Sequence, residues 1–247
     1  MTTEWSPAWR QPSGAVGERL RPGRDVHVWR IALGRVLAPS EVCGLLGRLS
    51  DDELRRAARI TVDEERTRFL ASHVALRDIL AGYVPGDLRF TRDGDRPALA
   101  GNTGLEFSLS RSGGLALVAV AAGVRVGVDV EEIRPVDHTG LASRTLVPSE
   151  AADVREPETF FRYWTCKEAY LKAEGVGLAG LPGPAFTLTG GDVVFPSSGG
   201  PEWTVTELNA GPGHAAALAV PARPVTVRAF DWLPGRVPAG AHGKGET

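Results

Sequence analysis

Apolar residues recur along this chain in two periods, one helical and one extended. Between Asp63 and Ala81 they return every three or four positions, which predicts a helix. A second helix is predicted from Thr159, a candidate N-cap, to Glu174, with Gly175 as its stop signal. Short apolar or alternating runs bounded by turn residues predict strands at 88–91, 105–110, 115–121, 124–132, 185–189, 193–195, 203–208 and 215–220.

The order of these elements repeats: a helix, a strand, a tight turn and two further strands occur twice along the chain. We interpret this as an internal duplication, which predicts an α+β fold of two similar α/β subdomains related by a pseudo-twofold axis. The predicted parts are loose tails at 1–24 and 234–247 and two halves at 25–123 and 124–233. One α+β domain with unrelated halves remains the alternative. A cleft between the halves is the preferred place for a ligand.

Composition and charge narrow the class of protein. The 247 residues carry a formal net charge of −2, without the basic excess expected of a nucleic-acid binder. No apolar run approaches the roughly 18 residues that span a bilayer, and residues 1–23 have no apolar core like that of a secretory signal. We therefore expect a cytoplasmic protein with no membrane or nucleic-acid partner. We also expect a monomer, because a duplicated chain forms its own pseudo-dimer.

Several common catalytic patterns are missing from the sequence. The two cysteines and five histidines show no zinc-ligand spacing, and neither a G-x-G-x-x-G nor a G-x-x-x-x-G-K-[ST] motif is present. Lysine is rare, yet two of the three lysines, Lys167 and Lys172, lie close together in the second predicted helix. This clustering points to a function that needs a compact, mobile ammonium group.

The strand at 124–132 carries an acidic pair on one face. Its period of two places Gly127, Asp129 and Glu131 on the same side, with the carboxylates about 7 Å apart. Two such carboxylates repel each other unless a cation lies between them, and oxygen ligands of this kind suit Mg²⁺. Gly127 leaves space for a ligand on that face. An edge strand with solvated acidic residues is the alternative.

The second predicted helix presents a polar stripe. Trp164, Glu168 and Lys172 follow an i, i+4, i+8 spacing, and Lys167 lies on the flank of the same face. In the functional interpretation, the lysines neutralise phosphate oxygens and the glutamate handles a proton or a metal. The alternative is an ordinary amphipathic helix with a Glu–Lys pair that contributes about 0.2–0.5 kcal/mol.

Two weaker patterns complete the candidates. Ser149 and Glu150 are typical of a helix start, where an acidic side chain interacts favourably with the helix dipole. Residues 107–114 predict a strand that leads into a glycine-containing loop, where hydroxyls, backbone N–H groups and Arg111 are able to hold a phosphate.

Three segments together resemble the Sfp-type 4′-phosphopantetheinyl transferases: SLSRSG at 108–113, VGVDVE at 126–131 and WTCKEAYLKAEGVGL at 164–178. The resemblance covers roughly residues 25–232, and the G-[IV]-D-x-E and W-x-x-K-E-[AS]-x-x-K pair is highly specific. It implies a cytoplasmic enzyme that transfers 4′-phosphopantetheine from coenzyme A to a serine of an apo acyl or peptidyl carrier protein. The reaction would use Mg²⁺, or Mn²⁺ in its place, and release adenosine 3′,5′-bisphosphate. Such enzymes activate the carriers of fatty-acid, polyketide and nonribosomal-peptide biosynthesis.

The resemblance also implies roles for individual residues. Asp129, Glu131 and Glu150 match the acidic positions that hold Mg²⁺. Glu168 matches the candidate general base, with a further role near the metal left open, and Lys167 and Lys172 match the lysines of the motif. The implied coenzyme A contacts are Arg56, Arg68, Arg77, Arg96, Pro97, Ser110, Arg111, Ser112, Asp129, Lys167 and Lys172.

Arg111 is a departure from the family, which commonly has histidine there. Because arginine does not titrate near neutral pH, Arg111 is expected to clamp a phosphate and not to carry a proton. Two other functions stay open: a non-catalytic module that binds coenzyme A or another anion, and a Mg²⁺-dependent phosphotransferase acting on another nucleotide. Acidic residues beside the ligand argue against the first, and preference for coenzyme A over ATP would argue against the second.

Overall fold

The computed structural model describes residues 8–10, 20–33, 45–93, 96–189, 192–194 and 203–234. The elements of the first half are β1 Asp25–Ala32, α1 Asp51–Ala58, α2 Asp63–Ala81, β2 Phe90–Asp93, β3 Arg96–Leu99, β4 Leu105–Ser112 and β5 Leu115–Ala122. Those of the second half are β6 Gly127–Glu132, α3 His138–Thr145, α4 Pro148–Asp153, α5 Pro157–Glu174, β7 Thr187–Thr189, β8 Asp192–Val194, β9 Trp203–Glu207, β10 His214–Pro221 and β11 Thr226–Asp231. Two short 3₁₀ helices are also present, Leu46–Arg48 before α1 and Gly177–Gly180 after α5.

The two long helices confirm the helical periods of the sequence. Helix α2 has the predicted bounds, and acidic residues fill its first turn, where they complement the helix dipole. Helix α5 begins two residues before the predicted Thr159, because Pro157 at the first helical position has a backbone already suited to a helix. The prediction of Thr159 as N-cap is therefore wrong. The helix ends at Gly175, whose φ of 81° lies in the left-handed region that glycine adopts without strain.

The strands form two main sheets and a separate hairpin. One sheet has the order β11-β1-β5-β4, the other β6-β10-β9-β8-β7, and β2 pairs with β3. In the first sheet β1 pairs antiparallel with β5, which pairs antiparallel with β4, and in the second sheet β6 pairs in the same way with β10, which pairs with β9. The α+β prediction is confirmed, and this repeated pairing supports the duplication. The pseudo-twofold axis and the boundary at 124 stay predictions.

The last strand crosses between the halves. Although β11 belongs to the predicted second half, it pairs in parallel with β1 at the edge of the first sheet. The sequence patterns did not assign β1 or β11 to strands, because β1 interrupts its apolar run with a buried His27 and β11 follows a proline-rich turn.

The core explains why the halves form one body. Alternate residues of β5 face two different clusters, so Leu117 and Ala119 meet the second sheet while Val118 and Val120 pack under α2. The same alternation in β10 places one face against the first sheet and the other under α5. The result is four layers: α2, the first sheet, the second sheet and α5.

Part of the predicted N-terminal tail is attached to the sheet. The Arg10 N–H donates to Ala229 O at 3.1 Å, and the Asp231 N–H donates to Arg10 O at 2.9 Å. Trp9 also donates from its indole nitrogen to Asn209 O at 2.5 Å. Residues 20–24 of this tail are attached as well, because the Gly23 N–H donates to Ala122 O at 2.8 Å. Most of the remaining residues of the two predicted tails lie outside the described residues. Every helix in the described part of the chain is too short or too polar to cross a bilayer.

Candidate active site

Strands β4 and β6 lie side by side where the two halves meet, and hydroxyls of β4 hold carboxylates of β6. Ser110 Oγ donates to Asp129 Oδ1 at 2.6 Å. Ser112 Oγ donates to Glu131 Oε2, also at 2.6 Å. The strand period predicted that Asp129 and Glu131 lie on the same face of β6. This is confirmed, because both carboxylates accept hydrogen bonds from β4. The side chains of Val128 and its alternate neighbours enter the core between the sheets.

Gly127 does not leave room for a ligand, contrary to the expectation from the sequence. A Cβ atom there would lie 2.0 Å from Ala169 O and 2.6 Å from Ala173 N, both in the backbone of α5. The missing side chain lets α5 approach β6 closely. This close packing brings the polar stripe of α5 beside the carboxylates of β6.

Two residues of that stripe reach the acidic pair. Lys172 Nζ lies 2.6 Å from Asp129 Oδ1 and donates to Ser110 Oγ at 3.0 Å. Glu168 is half-buried, and burial raises the pKa of its carboxyl group. The Lys172 charge opposes this rise, whereas the charges of Asp129 and Glu131 add to it. Glu168 therefore shares an electrostatic environment with both carboxylates of β6.

Asp129 is the most enclosed member of the group, with 3% of its surface exposed. Its Oδ1 is occupied by Ser110 and Lys172, but Oδ2 is buried without a hydrogen-bond partner among the described residues. An unpartnered buried carboxylate oxygen is costly, and a cation would relieve that cost. As arranged, no three histidine, cysteine or carboxylate side chains within the described ranges converge to hold a metal ion. By chemistry and burial, the donor set still fits a hard divalent ion.

Glu150 and Lys167 form a buried ion pair with each other, and their predicted roles toward a metal and coenzyme A stay predictions. Lys167 Nζ lies 2.8 Å from Glu150 Oε2 and donates to Pro184 O at 2.6 Å. Glu150 also accepts from the N–H groups of Phe186, at 2.6 Å, and Val147, at 3.1 Å. Both carboxylate oxygens of Glu150 are thus occupied inside the second half, where they cap α4 and fix the segment before β7.

Among the described residues, no hydrogen bond or ion pair joins Glu150 or Lys167 to Asp129. With 1% and 0% of their surfaces exposed, the two side chains neutralise each other's charge. The prediction that a helix begins near residues 146–150 is confirmed. The N-cap is Val147 and not Ser149, and α4 begins at Pro148. The dipole and capping explanation for Glu150 accounts for its position.

An arginine-rich cavity of about 640 Å³ opens in the first half between α1, α2, the β2–β3 hairpin and β4. Its wall contains five arginines and two carboxylates. The predicted coenzyme A residues that line it are Arg56, Arg77, Pro97, Ser110 and Arg111. Because Ser110 lines this cavity and also bonds to Asp129, the cavity and the carboxylates are adjacent.

The ring of Phe69 lies between two arginines of the cavity wall. The guanidinium carbons of Arg56 and Arg111 lie 5.3 and 5.5 Å from the Phe69 ring centroid, and His73 stacks on that ring at 3.9 Å. Reasoning from the sequence missed Phe69 and His73 as site residues. Their signal was the i, i+4, i+8 series Phe69, His73 and Arg77 on α2, the counterpart of the stripe on α5.

The cavity wall lacks the other six predicted contacts, which are Asp129, Lys167 and Lys172, described above, and Arg68, Arg96 and Ser112. Arg68 pairs with Glu64 and Glu65 on its own helix. Arg96 is buried and forms an ion pair with Glu106 at 3.2 Å. Successive residues of a strand point to opposite sides, so only Pro97 of the Arg96–Pro97 pair faces the cavity.

Ser112 is the last of these residues, and its hydroxyl faces β6. It meets Glu131 and is not among the residues that line the cavity. Arg111, the preceding residue of β4, lines the cavity and donates to Glu65 Oε2 at 3.3 Å. The predicted phosphate-binding segment is therefore divided: Arg111 lines the cavity, and Ser112 contacts β6.

Comparison with known proteins identifies the family. Residues 125–217 match the model of the 4′-phosphopantetheinyl transferase superfamily. The 4′-phosphopantetheinyl transferase HetI of Nostoc sp. is 38% identical over 224 residues, which cover 85% of this chain and 90% of that protein. AcpT of Salmonella typhi is 30% identical over 69% of this chain and 83% of its own length. Sfp of Bacillus subtilis is 25% identical over 66% and 76%, respectively.

The chain belongs to the 4′-phosphopantetheinyl transferase superfamily. It is a transferase enzyme of this kind, as the resemblance of its three sequence segments implied. The matched range contains β6 and α5, the two elements that bring Asp129, Glu168 and Lys172 together.

Proposed function

We propose that the chain transfers the 4′-phosphopantetheine group of coenzyme A to a serine hydroxyl of an apo acyl or peptidyl carrier protein. The serine oxygen forms a bond to the phosphorus that carries the pantetheine arm. The bond from that phosphorus to the bridging pyrophosphate oxygen breaks, and adenosine 3′,5′-bisphosphate leaves. The observation that carries this proposal is the hydroxyl of Ser110, which joins an arginine-rich cavity to a carboxylate group.

The cavity suits the nucleotide end of coenzyme A. Its volume of about 640 Å³ lies within the usual range of about 300–1,000 Å³ for small-molecule sites. Phosphate groups pair well with guanidinium groups, and Arg56 and Arg111 both face the centre of the cavity near Phe69. Arg77 is already held by Glu53 at 2.7 Å, so we assign it to the wall and not to the phosphate.

For the divalent ion we propose Asp129, Glu131 and Glu168 as ligands, with Glu168 in place of Glu150. The unpartnered Oδ2 of Asp129 and the electrostatic repulsion that Asp129 and Glu131 exert on Glu168 support this set. When bound, Mg²⁺ or Mn²⁺ would neutralise negative charge on the pyrophosphate oxygens. The carboxylates would need to rotate to converge on the ion, because no three of them converge among the described residues and Lys172 contacts Asp129.

Two residues of α5 perform the remaining chemistry in this proposal. Lys172 is the one lysine of the motif whose ammonium reaches the acidic group, and it offsets charge on the leaving phosphate. Glu168 accepts the serine proton through one carboxylate oxygen, because it lies on the same helical face as Lys172, beside the carboxylates of β6. No covalent intermediate on the enzyme is required, in keeping with phosphoryl transfer by positioning and charge neutralisation.

Mass spectrometry tests the proposal directly. An apo carrier protein incubated with this protein, coenzyme A and Mg²⁺ should gain the mass of one phosphopantetheine group. A carrier whose acceptor serine is replaced by alanine should gain nothing. Asp129→Ala should slow transfer by orders of magnitude, because it removes the most buried acidic group of the site. Unmodified carriers from several pathways, with a folded enzyme, would refute the proposed function.

We further propose that the enzyme acts as a monomer in the cytoplasm. The shared core between the two sheets supports this, because the halves already bury each other's apolar faces within one chain. Light scattering of the purified protein should give the mass of a single chain, 26.2 kDa. A mass of twice that value at micromolar concentration would contradict it.

A further inference from the structure

Three serines at alternate positions of β4 face β6. The two strands belong to different sheets, so hydroxyls take the place of a backbone ladder along this boundary. Ser108 Oγ accepts from the Val128 N–H at 3.1 Å, and Ser112 Oγ accepts from the Glu132 N–H at the same distance. We call this boundary, formed by the three serines Ser108, Ser110 and Ser112 with β6, the serine seam.

Ser112 does more at this seam than Ser108. A serine hydroxyl offers one donor and two acceptor sites. Ser112 uses both kinds, because it accepts from Glu132 N and donates to Glu131 Oε2 at 2.6 Å. Arg134 approaches the same oxygen at 3.6 Å. Both contacts fall on Oε2, so Oε1 is the oxygen of Glu131 that stays available for another ligand.

We propose that Ser112 is a positioning residue for the divalent ion, acting through Glu131. This inference rests on the proposed function, because it takes Glu131 as a metal ligand. Groups that hydrogen-bond a metal-ligating carboxylate fix its orientation, and their loss typically weakens metal binding by roughly 10- to 100-fold. Because one hydroxyl holds both the β6 backbone and the carboxylate, Glu131 is oriented only when β4 and β6 are side by side.

Ser108 provides a matched control within the same strand. It makes the same kind of bond to a β6 N–H as Ser112, but its hydroxyl makes no bond to a carboxylate among the described residues. Ser108→Ala therefore removes a seam bond alone. Ser112→Ala removes a seam bond and the support of Glu131, and Ser112→Thr keeps the hydroxyl that makes both contacts.

The test measures metal affinity without the transfer reaction. Free Mn²⁺ is titrated by electron paramagnetic resonance in the presence of coenzyme A and the absence of a carrier. Ser112→Ala should weaken Mn²⁺ binding by roughly 10- to 100-fold, while Ser108→Ala and Ser112→Thr should keep the wild-type affinity. Melting temperatures should fall by similar amounts for both alanine variants. If Ser112→Ala does not fold, Ser112→Cys, with its weaker donor, should give an intermediate affinity.

The controls separate this inference from the proposed function. Failure of the wild-type enzyme to modify any apo carrier would refute the function itself. Transfer by the wild type, with equal Mn²⁺ affinities for Ser112→Ala and Ser108→Ala, would overturn the role of Ser112 alone. Absence of Mn²⁺ binding to a wild type that still transfers would overturn it as well, together with the proposed ligands.

Discussion

Replacing Lys167 by methionine tests whether the lysine within the K-E motif acts on substrate or on the fold. Methionine has a similar length and no charge, so the change leaves the carboxylate of Glu150 buried without its partner. Lys167 has no exposed surface, and its ammonium bonds to Glu150 and to Pro184 O. We therefore expect a loss of stability and not a direct loss of chemistry.

The magnitude follows from burial. Breaking a buried ion pair by removing one partner typically costs about 3–5 kcal/mol. Part of this cost comes from Glu150, which keeps its bonds to the N–H groups of Phe186 and Val147 but loses its counter-charge. The double variant Lys167→Met, Glu150→Gln removes that charge and keeps an acceptor for Phe186 N. It should recover more than half of the lost free energy of unfolding.

Urea unfolding followed by circular dichroism measures both variants, and single-turnover transfer at low temperature measures chemistry in the folded fraction. Lys172→Met is the matched comparison, because that ammonium contacts Asp129 and is half-exposed. It should lower the transfer rate strongly and change stability little. The reasoning is refuted if Lys167→Met unfolds at the wild-type urea concentration and yet loses transfer as completely as Lys172→Met.

Three further predictions follow from the geometry. Arg111→His should keep most of the transfer activity but add a dependence on pH near neutrality, and an unchanged pH–rate profile would remove the charge-clamp argument. Gly127→Ala should destabilise the protein by about 1–3 kcal/mol or more in urea titrations, because the new Cβ would overlap Ala169 O, and wild-type stability would disprove that overlap. Burial lowers the pKa of His27 from 6.5 to about 4, because the folded protein disfavours the charged imidazole. The free energy of unfolding is therefore unaffected by His27 above pH 6.5 and decreases as the pH drops from 6.5 towards 4. His27→Gln should remove up to about 3 kcal/mol of that pH-dependent loss, and equal pH dependence in both proteins would contradict it.

The parts of the fold that the sequence predicted are those governed by local periodicity. The i, i+3, i+4 pattern of α2 and the alternation of β6 depend on one element each, and both were read correctly. The resemblance also pointed to Glu168 and Lys172, whose helical spacing brings them to the same face of α5.

The errors came from contacts between distant segments. The metal role of Glu150 stays a prediction, but its pairing with Lys167 and its bond to the N–H of Phe186 involve other elements, which no local pattern reveals. The sequence predicted that Gly127 leaves space for a ligand. That space is filled by the backbone of α5, a tertiary contact that the local pattern does not show. Arg96 and Pro97 were assigned together as a motif, although a strand turns neighbouring side chains to opposite faces.

The parallel pairing of β1 with β11 has a consequence for synthesis of the chain on the ribosome. Asp25 is aligned with Thr226, so the first sheet gains its outer strand only after about 200 further residues have been translated. Until then, one edge of β1 exposes unpaired backbone groups that are able to pair with other chains. Nascent chains stalled before residue 226 should therefore aggregate or recruit chaperones more strongly than chains released after it.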